Sequence, residues 1–183
     1  KTAMHVHSEV DPDSGALVAK NQYSTEFSKR VAFFDVDYLK KSFTGDRTEF
    51  IGRNGNLKKP DAMLRVKLSG RTGLSLDPCA AIQVPFDVGV GEEQEIIFRL
   101  GVGKDSREAS SIARQFRGSE AAQASFEKVK KHWKNITGAL QVETPDAAIN
   151  IITNGWLTYQ TLSSRLWGRT GFYQSGGAFG FRD

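Results

Sequence analysis

The densest concentration of chemistry-bearing side chains lies in the run Thr170-Gly-Phe-Tyr-Gln-Ser-Gly-Gly-Ala-Phe-Gly-Phe-Arg-Asp183. It holds four glycines, four aromatic residues, one arginine and one aspartate. Glycine lets a backbone take positive φ and come close to a ligand. Aromatic faces suit sugar rings or bases, and Arg182 and Asp183 supply directed donors and acceptors. Bulky aromatics are unusual in linkers, so the run reads as a binding loop rather than a flexible tail.

Other groupings carry less. Gly101-Val-Gly-Lys-Asp-Ser106 lies between a strand pattern and a helix pattern. A phosphate-binding loop needs Gly, four residues, then Gly-Lys-Ser/Thr, and Lys104 is followed by Asp105. His5 and His7 would share one strand face, but no third ligand stands nearby, so no metal site is expected. Cys79 follows Pro78 in an apolar setting and reads as a structural thiol. Asn135-Ile-Thr137 fits the glycosylation triplet but falls on a helix pattern. There is no Gly-x-Ser-x-Gly elbow, metalloprotease motif or cysteine zinc knuckle.

The elements that must position these residues divide near Lys104. Before it the pattern is short and β-like. Met4–Ser8 alternates, and Gly15–Ala19 follows an Asp-Pro-Asp-Ser-Gly turn, which is hairpin chemistry. Arg30–Val36 is a β-branched and aromatic run. Thr48–Ile51 and Met63–Leu68 are expected as shorter strands, the second with a helical alternative. Ala80–Phe86 and Glu93–Leu100 are expected to pair as an antiparallel hairpin, with Pro85 at an edge or a strand end. Short strands with regular turn signals predict a β-sandwich.

After Lys104 the period becomes helical. Asp105 with Glu108 is a capping start, Ala109, Ile112, Ala113 and Phe116 form one stripe, and Gly118 ends it. Ser119 can cap the next helix, whose apolar positions are Ala122, Phe126, Val129, Trp133 and Ile136. Its Glu127, Lys128, Lys130, Lys131 and Lys134 read as a solvated face. Thr144-Pro-Asp146 predicts a third start, with Thr144 as cap and Pro145 at the first helical position. The stripe there is Ile149, Ile152, Trp156, Tyr159, Leu162 and Leu166, up to Trp167 and Gly168. The polar positions are mostly uncharged, as in a helix surrounded by other protein.

The chain has 183 residues, 39% apolar and 25% charged, with a net charge of +4. A packed core is feasible, and the interspersed charges leave no basic block for nucleic acid. One cysteine excludes an intrachain disulfide and fits a reducing compartment. No apolar run approaches a membrane span and no signal peptide opens the chain, so a cytoplasmic placement is expected. Both ends look like mid-domain sequence, so a piece of something longer is expected.

Three stretches resemble glycoside hydrolase family 94, the glycoside phosphorylases, and especially the phosphorylase-like region of bacterial cyclic β-1,2-glucan synthases. They are Asn21–Asp35; Asp46-Arg-Thr-Glu-Phe-Ile-Gly-Arg-Asn-Gly55 through Leu68-Ser-Gly-Arg-Thr-Gly-Leu-Ser-Leu-Asp-Pro-Cys79; and Trp156–Gln160 through Arg165–Asp183. The resemblance implies an α+β multidomain fragment. It would consist of an antiparallel β-sandwich (1–103), a helical linker (104–143) and the first helix of an (α/α)6 barrel (144–183). The Trp156 and Tyr159 face would then be exposed for want of the barrel it packs against.

The resemblance also implies inverting phosphorolysis of a β-glucoside to α-glucose 1-phosphate, with inorganic phosphate as co-substrate and no cofactor. UDP-glucose would be used elsewhere in a synthase parent. Asp183 matches the aspartate that hydrogen-bonds the glucosyl unit beside the scissile bond. Arg182 touches sugar or braces the loop. Gly177 occupies the position where some cellobiose-type members carry a sugar-binding arginine. With Gln174, these are the candidate substrate-binding residues. Phe179 and Phe181 anchor the loop or touch ligand. The general acid and the phosphate-binding groups are expected beyond Asp183, so no catalytic residue is expected here and the fragment alone is expected to be inactive. The implied partners are a β-glucan oligosaccharide and the rest of the parent polypeptide, with no nucleic acid. A synthase parent would place it on the cytoplasmic face of the bacterial inner membrane. The competing reading is a non-catalytic carbohydrate-binding or structural sandwich.

Overall fold

A computed structural model describes residues 3–23 and 25–163. Gln174, Gly177, Arg182 and Asp183 lie outside the described residues, as do Leu166, Trp167 and Gly168. The chain forms two compact units, Lys1–Ala122 and Gln123–Asp183.

The first unit holds two antiparallel sheets, in agreement with the α+β class expected from the sequence. Strands β1 (Val6–Val10), β2 (Leu17–Asn21) and β3 (Val31–Val36) are successive antiparallel neighbours. The Asp11–Gly15 turn joins the first two, with Asp11 Oδ2 accepting from Ser14 N–H at 2.8 Å. β6 (Phe98–Gly103) completes the order β1-β2-β3-β6, pairing Phe34 with Leu100. The second sheet is β4 (Ser42–Asp46) on β5 (Pro78–Gln83).

The expected hairpin between Ala80–Phe86 and Glu93–Leu100 does not form. β5 pairs with β4 and β6 with β3, so each strand finds its partner far back in the chain. Pro85 falls just past the end of β5. Thr48–Ile51 is helical rather than a strand, within α1 (Arg47–Ile51). Asp46 caps it by accepting from Thr48 N–H at 2.9 Å, which outweighs the β preference of Phe50 and Ile51. Met63–Leu68 contributes to a 3-10 turn, Asp61–Leu64, and then runs on without pairing as a strand.

The segment after Leu68 stitches the sheets together. Gly70 N–H donates to Phe43 O at 2.8 Å, Gly45 N–H to Arg71 O at 2.7 Å, and Ser8 N–H to Gly73 O at 3.2 Å. Gly45 permits this approach: a Cβ there would stand 2.6 Å from Ser8 Oγ.

Helix α2 (Ser106–Gln115) has the expected cap, Asp105 Oδ1 accepting from Glu108 N–H at 2.8 Å. Its Ala109, Ile112 and Ala113 pack on Ala16, Val18, Val31 and Phe33, one face of the larger sheet. A second core gathers Ala62, Leu68 and Ala81 with Phe50 and Cys79. An ion cluster ties the segment just after α2 to the sheet. Asp35 on β3 is 0% exposed and accepts from Lys41 at 2.7 Å, Arg99 at 2.7 Å and Arg117 at 2.9 Å. Arg117 also donates to Ser14 O, and Arg99 also pairs with Asp37. Burial opposes ionisation of Asp35, but the hydrogen bonds from Lys41, Arg99 and Arg117 outweigh it and hold the carboxyl at about 2.

Helix α3 (Ser119–Thr137) ends before Gly138, but Ser119 is its first helical residue rather than its cap: Gly118 O accepts from Ala122 N–H, and the Ser119 hydroxyl donates to Glu95 instead. It buries none of its residues. Phe126 and Val129 of its apolar stripe are exposed, and Trp133 and Ile136 are half-buried.

In the second unit, α4 (Ala147–Ile151) and α5 (Leu157–Thr161) flank a wide π turn, Ile152–Trp156. The cap is Asp146 rather than Thr144, its carboxylate accepting from Ala148 N–H at 2.8 Å. Thr144 is instead held by Asn150, whose amide donates to Thr144 O at 3.0 Å and accepts from Thr144 N–H at 2.8 Å. Asn154 grips Val142 in the same manner, at 2.8 and 2.6 Å. These uncharged positions thus serve as a substitute strand for residues 142–144. Trp156 is 58% and Tyr159 42% exposed, the apolar exposure expected of this face. Tyr159 lies between Trp156, at 5.8 Å between ring centroids, and Trp133, at 5.1 Å.

Candidate functional site

A polar site open to solvent flanks α1. Asp46 at the end of β4 caps the helix, and its other oxygen receives Arg71 at 2.9 Å. Glu49, one turn on, accepts from Ser69 N–H at 2.8 Å, Ser69 Oγ at 2.6 Å and Thr44 Oγ1 at 2.6 Å. Burial works against both charges. Arg71 and Thr48 nonetheless bring the Asp46 carboxyl below its ordinary value, and Ser69 and Thr44 do the same for Glu49. Both are fixed anions whose acceptor sites are largely occupied.

Around them lies a hollow of about 370 Å3, lined on its other sides by Arg53, Asp61, Arg65 and Arg71. Arg65 reaches Glu49 only at 3.9 Å. A second hollow of about 520 Å3 lies across α1, with Leu57 and Asp77 in its wall, and shares Thr48, Gly52 and Arg53 with the first. Gly52 forms the ridge between them at φ 92°. A Cβ there would stand 2.2 Å from Asp61 Oδ2, so only glycine lets the Asp61 carboxylate sit against the turn.

The remaining sequence candidates are dispersed. His5 stacks on Tyr23 with ring centroids 4.6 Å apart, while His7 lies on β1. Among the described residues no group of three His, Cys, Asp or Glu could hold a metal ion. Cys79 is half-buried and points its thiol at Thr44 O, 3.7 Å away. Burial, then the nearby Asp46, Asp77 and Glu49, push it up to about 11, so it stays protonated at neutral pH. Gly101–Ser106 runs from β6 into α2, and Gly103 packs on the Ala109 backbone. No helix among the described residues is long and apolar enough to cross a membrane.

The α1 cleft was not among the sequence candidates. Its signal was the alternation of acids and arginines in Asp46-Arg-Thr-Glu and Gly52-Arg53, but Asp61, Arg65, Ser69 and Arg71 join it only through the fold.

Comparison with known proteins places both halves of the chain. Residues 1–119 match the glycosyl hydrolase 94 supersandwich domain, and residues 132–183 match the catalytic domain of the glycosyl hydrolase 94 superfamily. The chain is 39% identical, over its whole length, to the cyclic beta-(1,2)-glucan synthase NdvB of Rhizobium meliloti (strain 1021), and covers 6% of that protein. It is 27% identical to the N,N'-diacetylchitobiose phosphorylase of Vibrio furnissii, over 93% of this chain and 22% of that one. It is 28% identical to the cellobionic acid phosphorylase of Neurospora crassa, over 78% of this chain and 18% of that one. The chain thus spans less than a quarter of the length of each of these relatives. With a supersandwich match over 1–119 and a catalytic-domain match following it, the chain belongs to glycosyl hydrolase family 94.

Proposed function

We propose that the full-length protein is an inverting glycoside phosphorylase that acts on β-glucosides, of the β-1,2-glucan type, and releases α-glucose 1-phosphate. It does so as part of a cyclic β-1,2-glucan synthase or a related phosphorylase. The observation that carries this reading is the 39% identity to a cyclic glucan synthase, sustained over the whole chain.

In the reaction an oxygen of inorganic phosphate bonds to the anomeric carbon while the bond from that carbon to the glycosidic oxygen breaks. A carboxylic acid gives its proton to the departing oxygen, and attack from the opposite face turns β into α. Asp183 accepts hydrogen bonds from two hydroxyls of the glucosyl unit beside the scissile bond. Arg182 touches the sugar or braces the loop, Gln174 is a further substrate-binding residue, and glycine at 177 would let the backbone come close. The general acid and the phosphate-binding groups come from polypeptide beyond Asp183, so the 183-residue chain does not turn over alone.

The same reading carries the organisation into sandwich (1–103), linker (104–143) and (α/α)6 barrel (from 144). A β-glucan oligosaccharide is the ligand, and UDP-glucose is used elsewhere in a synthase. The working place is the cytoplasmic face of the bacterial inner membrane. The test is to incubate full-length protein with linear β-1,2-glucan, with and without phosphate. Phosphate-dependent release of α-glucose 1-phosphate, its anomer read by proton NMR, is the expected result. A folded protein that releases none overturns the assignment.

A further inference from the structure

The α1 cleft holds polar groups that the fold leaves without partners. The exposed side chains of Arg53 and Asp61 make no hydrogen bond or ion pair with the described residues, and both line the same hollow. The Arg65 guanidinium has one ion pair among the described residues, to Glu49 at 3.9 Å. The neighbouring Asp46 and Glu49 are already satisfied and do not compete for what remains.

Charge decides what fits. The hollow is lined by Arg53, Arg65 and Arg71 against Asp46, Glu49 and Asp61, so its formal charges cancel. With its formal charges cancelled the hollow carries no excess positive charge to attract a phosphate, and the free Arg53 donors and Asp61 acceptors suit the hydroxyls of a neutral polyhydroxyl. Across the Gly52 ridge, the second hollow presents Leu57, 74% exposed, as an apolar surface for the C–H face of a sugar ring. Arg53 borders both hollows, so one chain can run across it from the first to the second.

We propose that this cleft is a saccharide-binding site on the supersandwich domain. It takes a neutral, β-linked hexose oligosaccharide across the Gly52–Arg53 turn, with Arg53 donating to and Asp61 accepting from ring hydroxyls. The choice of a β-glucan as ligand rests on the function proposed above.

The test uses full-length protein in phosphate-free buffer, electrophoresed through gels containing linear β-1,2-glucan. Wild type, Arg53→Ala, Arg53→Lys and Asp61→Asn are compared, with amide exchange confirming an unchanged fold. Loss of a charge-assisted hydrogen-bonding group from a cleft predicts roughly tenfold weaker retention for Arg53→Ala. Arg53→Lys recovers part of it, because a point charge replaces the fork. Wild-type retention in both Arg53→Ala and Asp61→Asn overturns the proposal, as does displacement of the glucan from wild type by inorganic phosphate at the Arg53-dependent site. The two readings fail separately. Arg53-dependent retention without any glucose 1-phosphate release sinks phosphorolysis alone. Normal release with unchanged retention in the variants sinks this site alone.

Discussion

Replacing Asp35 with asparagine tests whether the buried ion cluster holds the first unit together. The side chain is 0% exposed and receives Lys41, Arg99 and Arg117. Asparagine keeps the shape but removes the charge, and leaves the Arg99 side chain, only 8% exposed, short of one counter-ion. Breaking a buried pair on one side costs about 3 kcal/mol, which speeds exchange of protected amides roughly a hundredfold.

The pH dependence gives an independent measure. Burial resists ionisation of Asp35, yet its hydrogen bonds hold the carboxyl at about 2 against an ordinary 3.8. A depressed carboxyl contributes stability that is fully present above its unfolded value and is lost as pH falls through the folded one. At ~1.4 kcal/mol per pH unit the contribution is about 2 kcal/mol, and about half of it is gone at pH 3. Trp133, Trp156 and Trp167 are the only tryptophans and all belong to the second unit, so fluorescence would report on the wrong part of the chain. The assay is therefore hydrogen exchange at Val31, Phe33 and Leu100 amides from pH 6 to 2.5, corrected for intrinsic rates. Wild type should lose protection below pH 4, and Asp35→Asn should start lower and lack that component. Equal protection at pH 6, or parallel pH profiles in the two proteins, would refute the argument.

Two further outcomes follow from local chemistry. Cys79, pushed up to about 11 by burial and then by its acidic neighbours, should react with a disulfide reagent at pH 8 far more slowly than a free thiol; complete labelling within the mixing time would contradict this. Asp105→Ala removes the cap of α2 and should lower the stability of the first unit by ~1 kcal/mol, read as earlier loss of amide protection at Ala109 and Ala113; unchanged protection would show that the cap is dispensable.

Local signals were legible in the sequence where the chain's neighbours in space are also its neighbours in order. Asp11–Gly15 announces the β1–β2 hairpin, and Asp105 with Glu108 announces α2. Non-local pairing was not. Phe98–Gly103 chose β3 over the strand just before it, because Val31–Val36 offers a long partner. β4 was missed because Ser42-Phe-Thr-Gly-Asp46 reads as a polar turn, and its pairing energy comes from Pro78–Gln83 and the 70–71 segment. Thr48–Ile51 shows a single cap overruling β-prone side chains. The α1 cleft needed contributions from Asp46 to Arg71 and could not be read from spacing. Ser/Thr-Pro is a common helix start and points to Thr144 as the cap, whereas in the structure Asn150 engages the Thr144 backbone.

The π turn at Ile152–Trp156 has a consequence for how this helix tolerates change in length. Such a turn accommodates one residue beyond the regular spiral, so everything after it is swivelled by about 100° relative to an uninterrupted helix. The asparagine grip at positions 150 and 154 and the aromatic trio around Tyr159 can therefore look in directions that a uniform helix would not allow. Dropping a single residue in this turn would leave the helix almost as long as before but aim its aromatic half elsewhere.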